Sequence, residues 1–191
     1  MQISANGATP RGQRGFTLGE VLTTLGVLGV SLSLAVPSFD RAAQSNLRAT
    51  AINELVATLH LARSEALARN ASIAVCPSAD GQTCAPVAWE AGWIRFVDSN
   101  GNYRADDGEA VLGGAPAIAG LEIRTAKFAT AFAYGPTGRV SAPDSSATGG
   151  DFMFCGTARG LTPQVVLISA LGHPVLAGQR ADGRPADCDT A

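Results

Sequence analysis

Apolar positions are spread unevenly along this chain, and they fall into three regimes. Residues 15–36 form one nearly continuous apolar run, broken by a single carboxylate at Glu20 and closed by Pro37. A run of this length is able to cross a bilayer, because ~20 helical residues at ~1.5 Å each cover the hydrocarbon core. Glu20 is the anomaly, since a charge in such a segment is costly and marks function and a partner. Beyond Pro37 the pattern becomes periodic. Leu47, Ile52, Leu55, Val56, Leu59, Ala62 and Ala66 recur at helical spacing, with Arg48, Glu54, Arg63 and Arg69 on other faces. Asn70 supplies a stop signal, so the pattern predicts one helix from about Phe16 to Arg69. Within it, Gly26 and Gly29 either permit close helix contact or are simply tolerated.

From Ser72 onward the period changes from helical to extended. Short strands are predicted at 72–76, 92–98, 110–112, 121–125, 127–134, 152–155, 164–169 and 174–177. Turn signals separate them at Asp80-Gly81, Asn100-Gly101, Asp107-Gly108, Pro136-Thr137-Gly138 and Thr148-Gly149-Gly150. Residues 143–150 read as a loop, and the tail beyond Ala177 is polar and irregular. A β head alone cannot bury the apolar stripe of residues 47–66, so the second half of the helix is expected to pack on the sheet in an α+β fold.

The flanks of the opening run give it a direction. Arg11 and Arg14 precede it, and no acid occurs before Glu20. A cleaved secretory signal would have a shorter apolar core, and a plain anchor has no use for Glu20. The segment resembles the class III signal of type IV pilins and pseudopilins: Gly15 before the cleavage point, Phe16 as first mature residue, Glu20 as the fifth, and Pro37 where those helices kink. The resemblance implies removal of residues 1–15 by a prepilin peptidase, N-methylation of Phe16 and a mature helix over 16–70. Residues 16–36 would be transmembrane before assembly and filament core after it. In a filament, Glu20 would pair with the terminal amine of a neighbouring subunit, because an unpaired buried charge is strongly disfavoured.

The centre of the chain narrows the family. Ala62-Arg63-Ser64-Glu65-Ala66, the stretch from Gly92-Trp93-Ile94-Arg95-Phe96 to Asn102, and Phe152-Met153-Phe154-Cys155 with Arg159-Gly160 are similar to the FimT/GspH group of minor pilins and pseudopilins. Ile168-Ser169 with Leu171-Gly172-His173 resembles that group's closing Gly-Arg hairpin, with histidine in place of arginine. The fold implied is a pilin-like lollipop, a long N-terminal helix packed on an antiparallel head over 71–191. The partners implied are other pilins or pseudopilins, the prepilin peptidase and an inner-membrane assembly platform. The location implied is the inner membrane, single-pass, with the head in the periplasm.

Composition refines this picture at two points. A net charge of -2 over 191 residues exerts no global pull toward polyanions. The four cysteines, Cys76, Cys84, Cys155 and Cys188, suit an oxidising compartment. Pairing Cys76 with Cys84 closes a small loop and pairing Cys155 with Cys188 pins the tail; three connectivities are open in all. A zinc site is disfavoured, since no two cysteines have the two-to-four-residue gap such sites use.

Candidate chemistry is sparse. Asp98, Asn100, Asn102 and Glu109 imitate positions one, three, five and twelve of a calcium loop, but Tyr103 stands where the turn needs glycine. The competing reading is a polar hairpin connection. His60 and His173 are the only histidines, and no nucleophile elbow or phosphate loop occurs, so no catalysis is expected. DNA uptake is the alternative function implied by the resemblance, through basic residues near the C-terminus. Arg180, Arg184 and Arg159 would carry it, diluted by Asp182, Asp187 and Asp189.

Overall fold

The computed structural model describes residues 15–143, 149–157 and 161–188, with residues 34–38 described by their backbone alone. The leader residues 1–14 and Arg159 therefore lie outside the described residues, as does the side chain of Pro37. Among the described residues there is one α-helix, α1 (Leu18–Arg69), of 52 residues. Nine strands follow: β1 (Ile73–Pro77), β2 (Trp93–Val97), β3 (Val111–Ala115), β4 (Leu121–Arg124), β5 (Phe132–Tyr134), β6 (Val140–Ser141), β7 (Gly150–Gly156), β8 (Gln164–Ile168) and β9 (Pro174–Ala177). The chain divides into two compact units, Met1–Phe39 and Asp40–Ala191.

In the first unit the helix begins at a capping motif. The Glu20 backbone N–H donates to the Thr17 hydroxyl at 3.2 Å, which satisfies one of the unpaired donors at the helix start. In the second unit the helix ends where Asn70 enters the left-handed region at φ 51. The Ala71 N–H then donates back to the Ala66 carbonyl at 3.2 Å, closing the last turn.

The strands of the second unit form two antiparallel sheets. The five-stranded sheet has the order β3-β2-β1-β5-β6 and the four-stranded sheet the order β4-β7-β8-β9. Helix residues Ala51, Ile52, Leu55, Leu59, Ala62 and Ala66 are buried in one core with Ile73 and Val75 of β1, Phe132 and Tyr134 of β5, Phe152 and Phe154 of β7, and Val166 and Ile168 of β8. The helical stripe and the alternating strand positions therefore bury one another. Aromatic rings fill the centre, with Trp89 edge-on to Phe152 at 4.9 Å and Phe128 against Phe132 at 4.7 Å.

Each sheet also has a covered outer face. Ala74, Cys76, Ile94 and Phe96 face away from the helix and are roofed by Cys84, Tyr103 and Ala105. On the other sheet Met153, Cys155 and Val165 are roofed by Ala186 and Cys188. This explains why β1 is buried at all five positions.

Two strand expectations are corrected by the structure, and one strand is added. The strand expected over 127–134 covers only Phe132–Tyr134. Upstream of it, side chains take the backbone groups a ladder would use: the Trp89 indole donates to the Phe128 carbonyl at 2.8 Å, and the Phe128 N–H donates to the Thr125 hydroxyl at 3.2 Å. The strand expected to end at residue 112 continues to Ala115 through Gly113 and Gly114. Those glycines serve close approach, since a Cβ on Gly114 would overlap the Trp93 carbonyl oxygen. The two-residue strand β6 went unread because two residues carry no period.

Candidate functional site

The N-terminal segment presents apolar side chains with nothing covering them. Phe16 is 84% and Leu18 79% exposed, and Leu22, Leu25, Val27, Leu28, Val30 and Leu32 are exposed as well. Its hydroxyls are internally satisfied. Thr23 donates to the Glu20 carbonyl at 3.0 Å, Thr24 to Val21 at 2.9 Å, Ser31 to Val27 at 2.8 Å and Ser33 to Val30 at 2.7 Å. Such back-bonding lets a hydroxyl sit in an apolar phase without an orphaned donor. Glu20 is left as the one ionisable side chain between Leu18 and Ser33. Among the described residues no helix is long and apolar enough to cross a membrane.

Gly15 and Phe16 lie immediately before the capped turn, outside the helix. The spacing Thr17-Leu18-Gly19-Glu20 is that of a capping box, of which the structure shows the Thr17 hydroxyl accepting from the Glu20 N–H.

The four cysteines form two disulfides, Cys76–Cys84 with a Cα separation of 5.6 Å and Cys155–Cys188 with one of 5.8 Å. Each joins a buried cysteine on the outer face of a sheet to a half-buried one on its cover. The loop inside the first bridge is organised by Asp80. Its carboxylate accepts from the backbone N–H groups of Thr83 and Gln82, both at 2.8 Å, and from the hydroxyls of Thr83 and Ser78. Hydrogen bonds from Thr83, then Gln82, hold that carboxyl well below the usual carboxylate range.

The loop from Asp98 to Glu109 is likewise closed by its own groups. Asp98, 2% exposed, accepts from the N–H groups of Gly101 at 2.8 Å, Asn102 at 3.1 Å and Tyr103 at 3.2 Å. Glu109 accepts from Ser99 at 2.7 Å and Asp106 at 3.2 Å. The side-chain amides of Asn100 and Asn102 donate to Asp106, at 2.9 and 2.6 Å, and lower its pKa. Tyr103 occupies the left-handed region at φ 61, the conformation that glycine would supply at the sixth position. Its ring packs on the outer cluster of the five-stranded sheet. Among the described residues no group of three or more His, Cys, Asp or Glu side chains is gathered as a metal ion requires.

The basic tail residues are engaged by carboxylates. Arg180 pairs with Asp151 at 3.2 Å, where the Asp151 side chain is 4% exposed. Arg184 pairs with Asp182 at 3.6 Å. His173 closes the β8–β9 turn: its carbonyl accepts from the Ser169 N–H at 3.2 Å, and its N–H donates to the Ser169 hydroxyl at 3.3 Å. Other charged residues tie helix to sheet: Arg95 lies 3.7 Å from Glu65, and Arg63 donates to the Gly138 carbonyl at 3.3 Å. Tyr134 donates to the Gly172 carbonyl at 3.2 Å, and its burial raises the phenol pKa.

A family model described as type II transport protein GspH matches residues 51–172, more than half of the chain. The chain belongs to the GspH family. It is similar to the pilin-like protein PilA1 of Thermus thermophilus, with 36% identity over 104 residues, 51% of this chain and 56% of PilA1. The chain thus spans little more than half the length of that relative. In fold it resembles the type IV minor pilin FimU of Pseudomonas aeruginosa, with a TM-score of 0.53 over 75% of this chain and 96% of FimU. Sequence identity to FimU is 18%, so that likeness concerns the fold. In this GspH-family chain the matched stretch begins on the helix at the first core residue, Ala51, and ends at Gly172. The first unit, β9 and the tail beyond it lie outside the match.

Proposed function

We infer that this chain is a minor pilin or pseudopilin that works by assembly, with no catalysis. The observation that carries the reading is the uncovered apolar helix, Leu18 to Ser33, whose hydroxyls are all internally bonded and whose one charge is Glu20. A surface of that kind needs an apolar phase around it, either lipid or a bundle of like helices. Membership of the GspH family, with a matched region covering most of the second unit, supports the same role. The subunit would be held in the inner membrane by residues 16–36, with its head in the periplasm. After cleavage at Gly15–Phe16 and methylation of Phe16, it would enter a type IV pilus or a type II secretion pseudopilus.

Co-expression with a prepilin peptidase tests this. The chain is expected to lose residues 1–15 and to carry a methylated Phe16 by mass spectrometry, and Gly15→Ala is expected to remain full length. Glu20→Ala is expected to be cleaved normally but to drop out of sheared filaments or out of co-purification with partner pilins. A wild-type chain left uncleaved by the peptidase would overturn the reading.

A further inference from the structure

We propose that Asn100–Gly101 is a gated deamidation site: the loop from Asp98 to Glu109 holds the two reacting groups apart, and conversion of Asn100 to aspartate opens that loop. Asparagine is a thermolabile residue, and a following glycine exposes it most, because no Cβ shields the next backbone nitrogen. Asn100–Gly101 is the one Asn-Gly pair among the described residues. Both residues are exposed, Gly101 stands at φ 74, and a Cβ placed on it would meet nothing within 4 Å. Water therefore reaches the pair, and sequence and exposure by themselves predict rapid loss of the amide.

The loop opposes that loss at both reacting groups. Ring closure needs the Gly101 nitrogen to shed its proton and the Asn100 Cγ to turn onto it. The Gly101 N–H instead donates to Oδ1 of Asp98 at 2.8 Å, and a negative charge there disfavours removal of the proton. Both ends of the Asn100 amide are held as well: Nδ2 donates to Asp106 at 2.9 Å, and Oδ1 accepts from the Asn102 N–H at 3.1 Å. The two carboxylates are themselves anchored. The Asp98 N–H donates to the Ser72 carbonyl at 3.0 Å, and the Asp106 N–H donates to Glu109 at 3.2 Å. The reaction therefore proceeds from a locally opened loop, and its rate follows how often that loop opens.

The step consumes only water. The Gly101 nitrogen gives its proton to solvent base and attacks Cγ of Asn100. The new N–Cγ bond forms as the Cγ–Nδ2 bond breaks, and the amide leaves as ammonia after taking a proton from solvent. Water then opens the succinimide at one of its two carbonyls, leaving aspartate or isoaspartate. Either product replaces the Nδ2 donor with a carboxylate facing Asp106, which the Asn100 and Asn102 amides keep ionised. Asp98, Asp106, Asp107 and Glu109 already share this loop with a single cation, Arg104. Added like charge and a lost donor both favour opening. Tyr103 and Ala105, which roof Ile94 and Phe96, belong to the segment released.

The test incubates the full chain in detergent at mildly alkaline pH and follows Asn100 by peptide mapping, with a synthetic peptide of residues 97–104 as the ungated reference. Wild-type chain is expected to convert at least about tenfold more slowly than the peptide, as protection by a closed loop requires. Asp106→Ala, at an exposed position, is expected to raise the rate about fivefold toward that of the peptide. Conversion of wild-type chain at the peptide rate overturns the gate, and so does an Asp106→Ala rate equal to wild type. The opening is read separately, by brief trypsin digestion. Cleavage after Arg104 is expected to be about fivefold faster in Asn100→Asp than in wild type, and faster than in Asn100→Ala, which loses the donor without adding charge. Equal cleavage in Asn100→Asp and wild type overturns the claim that deamidation opens the loop.

Discussion

Asp98 has a structural role that its place in the sequence does not announce. In the sequence it opens a string of oxygen ligands; in the fold its buried carboxylate receives three backbone N–H groups of the turn that follows. Those bonds hold Tyr103 in the left-handed region and so aim its ring at the outer cluster of the five-stranded sheet. Asp98→Ala removes the acceptor for three donors in a half-buried turn, and a loss of about 2–3 kcal/mol is expected. Urea unfolding followed by tryptophan fluorescence measures it, and a loss within about 0.5 kcal/mol would place the turn's order elsewhere. The expectation placed on Gly15, Phe16 and Glu20 rests on spacing along the chain. The anchoring role of Asp98 was not legible in that way, since the donors it meets depend on how the loop turns.

Among the elements, the helix was the most legible. Its apolar positions repeat at 3.6 residues over several turns, and the stop at Asn70 coincides with the observed end at Arg69. Strands with regular alternation, such as β2 and β8, were also visible. β3 was misread as short because Gly113 and Gly114 look like breakers, whereas the fold uses them to let the backbone pass close to Trp93. Gly114→Ala therefore places a methyl group against backbone that cannot swing away. A destabilisation of about 2–4 kcal/mol is expected, by analogy with overpacked cores. Thermal unfolding monitored by near-UV circular dichroism checks this; an unchanged Tm would mean that β3 shifts freely at its edge position.

At the scale of the whole molecule, one helix runs through two units of opposite character. The second unit, Asp40–Ala191, contains the entire main core, whose first member is Ala51. A chain of residues 40–191 is therefore expected to fold cooperatively without residues 1–39 and to need no detergent. Its near-UV spectrum and a single unfolding transition would show this, and a molten spectrum would refute it. The first unit has the opposite character, since its apolar side chains have no cover within the described residues. On the proposed reading, assembly and folding belong to different halves of the chain.

The sequence by itself determined the helix, the α+β class, the anomalous carboxylate at Glu20 and the resemblance to the FimT/GspH group, because each is written in local order, period or spacing. Only the tertiary structure decided which loops roof the two sheets and which arginines are already paired. Arg180 meets Asp151 from 29 residues away, and Arg124 meets the Cys188 carbonyl from 64 away. Such meetings follow from strand order and register, which no local pattern carries. The ties of the tail to the four-stranded sheet, through Arg180–Asp151 and Cys155–Cys188, were likewise decided by tertiary structure alone.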